Sequence, residues 1–250
     1  MKKKPPSIDP KVAARAARLI ARGALKGALA TNRRAARTSQ KHHPYVSKVG
    51  VALDGDGAPV FLFSTLAAHT QDLLADGRAS ILLEAPADKT NPLQDARCTL
   101  VGTVQKLDGE AADAARAIYL ARHPGAAMYA GFADFGLWRM DVDRVHYVGG
   151  FGAAKWAKAA DYLTPAPELA GAQDRLLASL SGEKLEAVRA VFKTAFGNAG
   201  RGWTILGLDP DGLVLSGPKS AQARIDFPSP AKDARAWQAR FRAMAKRAGL

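Results

Sequence analysis

Short β-rich segments separated by turn signals fill much of the chain between residues 25 and 158, and this pattern constrains the fold more than any other feature. The runs at residues 45–53 and 60–63 flank the sequence Asp-Gly-Asp-Gly at residues 54–57. Glycine supplies positive φ angles, and aspartate supplies side-chain hydrogen bonds to the backbone, as a tight turn requires. The two runs are therefore predicted to form a β-hairpin.

More strands and a few helices follow this hairpin. Further strands are predicted at residues 79–83, 97–104, 137–141 and 145–148, and helices at residues 70–74 and 110–122. Many short strands with few interrupting helices favour a barrel, because closing a sheet removes exposed edges.

The pattern changes after a segment rich in Pro, Ala and Gly. A helix is predicted at residues 183–196, and a long C-terminal helix is predicted to start at Pro228 and Ser229. Strands are predicted between them at residues 203–208, 213–215 and 224–227. This part is large enough to form a core of its own, so a small α+β domain is expected. The predicted divisions are a basic N-terminal helix or arm (1–22), a barrel (23–160), a linker (161–172) and the small α+β domain (173–250).

The cysteine content and the distribution of apolar residues indicate a cellular compartment. A single cysteine, Cys98, cannot form an internal disulfide, which is typical of a reducing compartment. No apolar run is long enough for a membrane span, and the basic start lacks the apolar segment of a secretory signal. We therefore expect a cytoplasmic protein with no membrane partner.

The formal net charge of +13 is compatible with anionic partners of several kinds. Part of it lies in the N-terminal helix, where Arg15, Arg18 and Arg22 follow helical spacing and are expected to form a solvated face. No helix-turn-helix, zinc-finger or aromatic RNA-binding signature accompanies the charge. A nucleic-acid partner is therefore not expected.

Several common catalytic motifs are missing. The sequence contains no dinucleotide-binding or Walker-type glycine loop and no nucleophile elbow. None of the five histidines forms a metal-binding pair or joins a cysteine cluster, so no metal site is expected. Catalytic residues are not assigned by these motifs.

One junction between a strand and a helix could hold a phosphate group. Ser64 and Thr65 leave an apolar strand, and His69 and Thr70 enter the following helix. Helix N-termini present unpaired N–H groups and partial positive charge, which suit an anion. The alternative is that the hydroxyl groups only cap the turn and the helix.

Residues 60–70 and 76–83, taken in order, resemble the core signature of FMN-binding split-barrel proteins of the pyridoxamine 5'-phosphate oxidase-like superfamily. Residues 44–49, 97–102 and 148–154 resemble neighbouring strands of the haem-utilisation (HugZ-like) branch, and the C-terminal part resembles a small domain often appended there. The resemblance implies an α+β fold in which an antiparallel split β-barrel precedes a small α+β domain. It also implies a homodimer that binds FMN between two barrels.

By position, the resemblance implies cofactor-binding roles for seven residues. Ser47 and Lys48 would line the flavin, and Arg97 would reach the edge of its ring system. The ribityl and phosphate groups would be held by Ser64, Thr65, His69 and Thr70.

Three functions remain open at the level of sequence. The first is a flavin-dependent oxidoreductase, and the second is a haem-binding or haem-degrading protein. The third is a non-catalytic interaction or regulatory protein. Haem-degrading members of the branch can use a histidine near the C-terminus, and this chain has none after His146. His42 and His43 are the alternative ligands considered for haem.

Overall fold

The computed structural model describes residues 8–33, 43–86, 90–150, 153–180, 183–197 and 202–248. The chain divides into two compact units, residues 1–163 and residues 164–250. The division lies inside the segment 161–172 that the sequence predicts as a linker. This segment is partly helical, because the short helices Ala159–Tyr162 and Pro167–Ala170 overlap it.

The first unit is an antiparallel sheet with helices. Its strands are β1 (Lys26–Asn32), β2 (Pro44–Gly50), β3 (Ala52–Leu53), β4 (Pro59–Ser64), β5 (Arg78–Glu84), β6 (Arg97–Lys106), β7 (Phe135–Val148) and β8 (Ala154–Lys158). Its helices are α1 (Pro10–Gly23), α2 (Ala68–Ala75), α3 (Gly109–Arg122) and α4 (Ala159–Tyr162). The strand order is β2-β1-β5-β6-β7-β4-β3, and β8 pairs with β7. This curled half-barrel sheet is the predicted barrel.

The hairpin predicted around residues 54–57 is confirmed. Asp54 Oδ1 accepts hydrogen bonds from the backbone N–H groups of Gly57 and Ala58, both at 2.9 Å. Gly57 has a φ of +100°, which favours glycine. The arms of the hairpin are β3 and β4, whose register pairs Ala52 with Val60.

Two predicted strand boundaries are wrong. Residues 45–53 form two strands, because β2 pairs with β1 whereas β3 pairs with β4. The partner changes at Val51, whose N–H donates to the carbonyl of Leu25. The strands predicted at 137–141 and 145–148 are one continuous strand, β7. Its register against β6 shifts at Val101 and Gly102, leaving Asp143 as the extra residue of a β-bulge.

Strand pairing sorts the side chains of the sheet onto two faces, because successive residues of a strand point to opposite sides. One inward row crosses β1, β5, β6, β7 and β8, and all of its members are buried in the core: Leu29, Ile81, Leu100, Val145 and Ala157.

The adjacent row points outward and is half-buried or exposed: Lys48, Ala28, Leu82, Thr99, His146 and Trp156. Two further rows point to this side of the sheet. One consists of Val46, Ala30, Ser80, Val101, Arg144 and Lys158, and the other of Glu84, Arg97 and Val148. We call these outward residues the outer face.

Helix α1 packs into the core of the first unit. Its N-cap is Asp9, whose carboxylate accepts the N–H groups of Lys11 and Val12 at 2.8 and 3.3 Å. A stripe of small residues is fully buried in the core against the sheet, and its members are Ala14, Ala17 and Ala21. Small side chains let the helix approach the sheet closely, so α1 is an integral part of this unit.

The expectation of a solvated basic face on α1 is wrong for two of its arginines. Arg18 is 2% exposed and Arg22 is 5% exposed. The Arg18 guanidinium donates to the carbonyl of Tyr162 at 2.6 Å, and that of Arg22 donates to the carbonyl of Gly55 at 3.0 Å. These hydrogen bonds attach α1 to α4 and to the β3–β4 turn, because a buried charge needs polar partners.

The second unit is a small α+β domain. It contains strands β9 (Thr204–Asp209), β10 (Gly212–Ser216) and β11 (Gln222–Asp226), and helices α5 (Pro167–Ala170), α6 (Gln173–Ser179), α7 (Glu183–Phe196) and α8 (Ala234–Arg247). The antiparallel sheet has the order β11-β10-β9. Trp237 of α8 is fully buried, and its Nε1 donates to the carbonyl of Asp209 at 3.1 Å.

The α+β fold class predicted from the sequence is confirmed for both units. The start of the last helix differs from the prediction: α8 begins at Ala234, not at Pro228. Asp233 is its N-cap, because its Oδ1 accepts the N–H of Ala236 at 2.7 Å. Within the described ranges, no helix combines the length and the apolar character needed to cross a bilayer.

We expect Gly102→Ala to destabilise the first unit. A Cβ atom at Gly102 would lie 2.0 Å from the carbonyl oxygen of Asp141, so the β6–β7 pair would have to shift. Overpacking of this kind costs about 1–3 kcal/mol. The control is Gly23→Ala at the end of α1, where a Cβ meets nothing within 4 Å. Urea unfolding followed by circular dichroism measures both; equal midpoints would contradict the expectation.

Candidate functional site

In the turn between β4 and α2, the first two hydroxyl-bearing residues, Ser64 and Thr65, are held by hydrogen bonds. Ser64 Oγ donates to Asp134 Oδ2 at 2.5 Å and accepts the N–H of Leu66 at 3.1 Å. The N–H of Thr65 donates to the carbonyl of Asp134 at 2.7 Å. The N-cap of α2 is Ala67, and no side chain caps the helix. The alternative of capping by hydroxyl groups thus fits the turn but not the helix.

Two polar atoms at the start of α2 are buried without a hydrogen-bond partner. They are Oγ1 of Thr70 and Nε2 of His69, counting partners only among the residues that the structure describes. Thr70 is fully buried. Most buried polar groups in native proteins are hydrogen-bonded, so an orphaned pair can mark a place where a ligand atom binds.

The His69 ring lies edge-on against Phe63, with 4.6 Å between ring centroids. Burial lowers the pKa of His69, and the neighbouring carboxylate of Asp72 opposes part of that effect. Asp72 is itself buried and accepts a hydrogen bond from Thr31 Oγ1 at 3.0 Å. This bond places α2 on the side of β1 that carries Thr31.

The structure places Ser47 and Lys48 on opposite faces of β2. Ser47 pairs with buried Leu29, in line with the inward row, whereas Lys48 pairs with Ala28 on the outer face. One ligand on a single face of β2 therefore cannot meet both side chains.

Arg97 begins β6 on the outer face, paired with Val148 of β7. Its Nη1 donates to the carbonyls of Leu93 and Asp95 at 3.1 and 3.3 Å, so part of the guanidinium is engaged with the preceding loop. Arg97 pairs with Val148 at the end of β7, whereas Ser64 pairs with Phe135 at the start of β7. The structure thus brings Arg97 and Lys48 to the outer face, away from the residues at the start of α2.

The outer face also carries a cluster that the sequence analysis did not identify. The imidazole of His146 lies against the indole of Trp156, with 4.7 Å between ring centroids, and the Arg144 guanidinium lies 4.9 Å from the indole centroid. Trp156 is 49% exposed, which is unusual for a tryptophan on a sheet. The alternation of Arg144 and His146 along one strand is a local signal, but their proximity to Trp156 depends on the β7–β8 register.

A cavity of about 680 Å³ adjoins this cluster at the edge of β8. Its lining includes Arg144, Trp156 and Lys158 together with Asp9, Asp143 and Asp161. Cavities of about 300–1,000 Å³ suit small ligands. The bulge residue Asp143 reaches it from β7, in keeping with the frequent occurrence of bulges beside functional sites. Among the described residues, no group of three or more His, Cys, Asp or Glu side chains could hold a metal ion.

Because the pKa of His69 is lowered by burial, the unfolded state binds more protons at this group than the folded state does. Its contribution to stability is complete above the unfolded pKa of about 6.5 and is lost progressively as the pH falls below that value toward the lowered folded pKa. We expect His69→Gln to flatten the dependence of the urea midpoint on pH between about 5 and 7.5. Burial also lowers the pKa of His123, which should keep part of the slope. The control is exposed His43→Gln; an unchanged slope in His69→Gln would contradict this account.

Comparison with known proteins identifies relatives of most of the chain. A haem-binding protein from Mycobacterium smegmatis is 30% identical, with a TM-score of 0.57, over 95% of this chain and 97% of that one. A protein of unknown function from Agrobacterium tumefaciens str. C58 is 29% identical, with a TM-score of 0.74, over 96% of this chain and 99% of that one.

The chloroplastic non-canonical haem oxygenase HOZ of Arabidopsis thaliana is 36% identical over 140 residues. This match spans 55% of the present chain and 40% of the Arabidopsis protein. The family described as "CREG, beta-barrel" matches residues 8–164, which includes nearly all of the first unit described above. The chain therefore belongs to the CREG β-barrel family.

Proposed function

We propose that this protein is a homodimer that binds haem on the outer face of its half-barrel sheet. The observation that carries the proposal is the 30% identity to the Mycobacterium smegmatis haem-binding protein over nearly the full length of both chains. The Arabidopsis haem oxygenase, matched over 140 residues, supports the same ligand class.

The charge of the outer face suits an amphiphilic dianion such as haem. Lys48, Arg97, Arg144 and Lys158 lie on it, and Glu84 is the single carboxylate among its members as defined above. Haem carries two propionates, which such a surface attracts. In this arrangement the cations bind the propionates and so orient the ligand.

Apolar side chains between the cations suit the porphyrin ring. Val101, Val148 and Leu82 are half-buried on the outer face, which also carries Trp156. Ligand sites combine apolar side chains with placed polar groups, and the outer face offers both. The iron of bound haem would supply redox and oxygen chemistry, and the chain would supply binding, orientation and exclusion of water.

A second copy of the chain would complete the site. Ala28, Ala30 and Ser80 are small and half-buried on the outer face, so another protein surface can approach the sheet closely. A flat ligand held between two such faces would lose most of its contact with water. This arrangement supports the homodimer that the sequence resemblance implies.

We expect the purified protein to bind haemin saturably, with a Soret band that reports binding, and to sediment as a dimer. Val101→Glu places a negative charge on the outer face and should weaken haemin binding by at least about tenfold and shift the protein toward monomer. The control Val12→Glu alters a residue of α1 that is 57% exposed and should change neither property. Non-saturable haemin binding by the unaltered protein, or equal weakening by both variants, would refute the proposal.

FMN binding, with flavin-dependent oxidoreductase activity, is the second candidate function. The observation that favours it is the pair of orphaned polar atoms, Thr70 Oγ1 and His69 Nε2, at a helix start with no side-chain cap. A phosphate could bond to these groups and to the N-terminus of α2. The carboxylate of Asp134 at Ser64 repels an anion, so the site would centre on Thr65, His69 and Thr70.

The two candidates are separated by a titration with FMN. If FMN binds through α2, flavin fluorescence changes saturably, and Thr70→Val weakens binding by about tenfold, because a hydrogen bond to a charged group is lost. Haemin binding should not change in this variant. Thr194→Val, at an exposed position of α7, is the matched control. Absence of FMN binding by the unaltered protein would exclude the second candidate and leave the first.

A further inference from the structure

The described histidines differ in how far their rings can reach a ligand. His69 is packed on Phe63, and its Nε2 is buried. His123 Nε2 bonds to the carbonyl of Val51 at 2.9 Å, and its ring lies 4.5 Å from that of Tyr119. His43 is exposed just before the edge strand β2, whereas His42 lies outside the described residues. His146 alone among the described histidines lies on the outer face.

The position of His146 is fixed by the sheet. It lies on β7, between β6 and β8, and pairs with Thr99 on one side and Trp156 on the other. The indole restricts the imidazole through the ring contact at 4.7 Å, with an interplanar angle of 31°. Side chains on strands hold a ligand geometry more exactly than side chains on loops do, and a packed neighbour restricts the rotamer further.

The surroundings of His146 match the two parts of a haem molecule. Arg144 and Val148 are two residues away on the same strand, so they share its side of the sheet. Val101 and Arg97 are the diagonal neighbours on β6. Apolar groups for the ring and cations for the propionates thus surround one imidazole.

Other side chains of this sheet that could bind haem iron point the other way. Cys98 is buried in the core, and burial raises the pKa of its thiol to about 12, which disfavours a thiolate. Tyr147 pairs with Cys98 and Lys155 on the inward side and packs against the core.

Resting on the proposed haem function, we propose that His146 is the protein ligand of the haem iron. Trp156 is a positioning residue that holds the imidazole, and Arg144 in turn lies over the indole. A neutral imidazole nitrogen is a common axial ligand of haem iron.

The test compares the absorption and electron paramagnetic resonance spectra of the ferric haemin complexes of the unaltered protein, His146→Ala, His146→Gln and His43→Ala. The unaltered protein and His43→Ala should show imidazole ligation. Both His146 variants should lose it, and added free imidazole should restore the spectrum of His146→Ala. Circular dichroism of the haem-free variants verifies their folding.

The positioning role of Trp156 has its own readout. Trp156→Ala should weaken haemin binding by about tenfold and broaden the imidazole signature, whereas Trp156→Phe, which keeps an aromatic ring, should restore both. Unchanged spectra in both His146 variants would overturn the assignment and leave haem binding by the protein intact. Failure of the unaltered protein to bind haemin would overturn the proposed function and the assignment together.

Discussion

The register that aligns β1, β5, β6, β7 and β8 is the constraint on which the rest of the first unit depends. It gathers a continuous apolar row on one side, against which α1 packs, and leaves the outer face to other contacts. A slip of one residue in any of these strands would move its buried residues outward and its cations into the core. Core and candidate ligand surface are thus two consequences of the same pairing.

Part of the positive net charge comes from two arginines of α1 that are buried inside the first unit. Arg18 and Arg22 donate to backbone carbonyls of α4 and of the β3–β4 turn, so they serve the internal structure. The Tyr162 hydroxyl adds a bond from α4 to the carbonyl of Gly57 in that turn, at 2.8 Å. Three segments distant in sequence are joined in this way. The proposed ligand site depends instead on the local excess of cations on the outer face.

Local chemistry explains which features the sequence could predict. The turn at Asp54 and the strands around it are encoded by adjacent residues, as are the fold class and most of the helices. Strand β1 was not predicted individually, because Gly27, Ala28 and Ala30 have low β propensity and the strand forms through its two neighbours. The cluster of His146 and Trp156 depends on a register between strands, which neither residue reveals alone. Burial of Thr70 depends in the same way on tertiary packing.

Alternation along β2 bears on how a flavin or a haem could be held. The sequence resemblance implies that Ser47 and Lys48 both line the flavin, yet adjacent strand residues face opposite sides of the sheet. In one copy, Lys48 and Arg97 lie on the outer face with His146, whereas Thr31 binds α2 from the inward side of β1. A ligand that contacts both the outer face and the start of α2 must therefore bind two copies of the chain, the outer face of one and α2 of the other. A haem bound to the outer face alone would need a second copy only to exclude water, whereas a flavin bound through both groups would need it to complete its binding site.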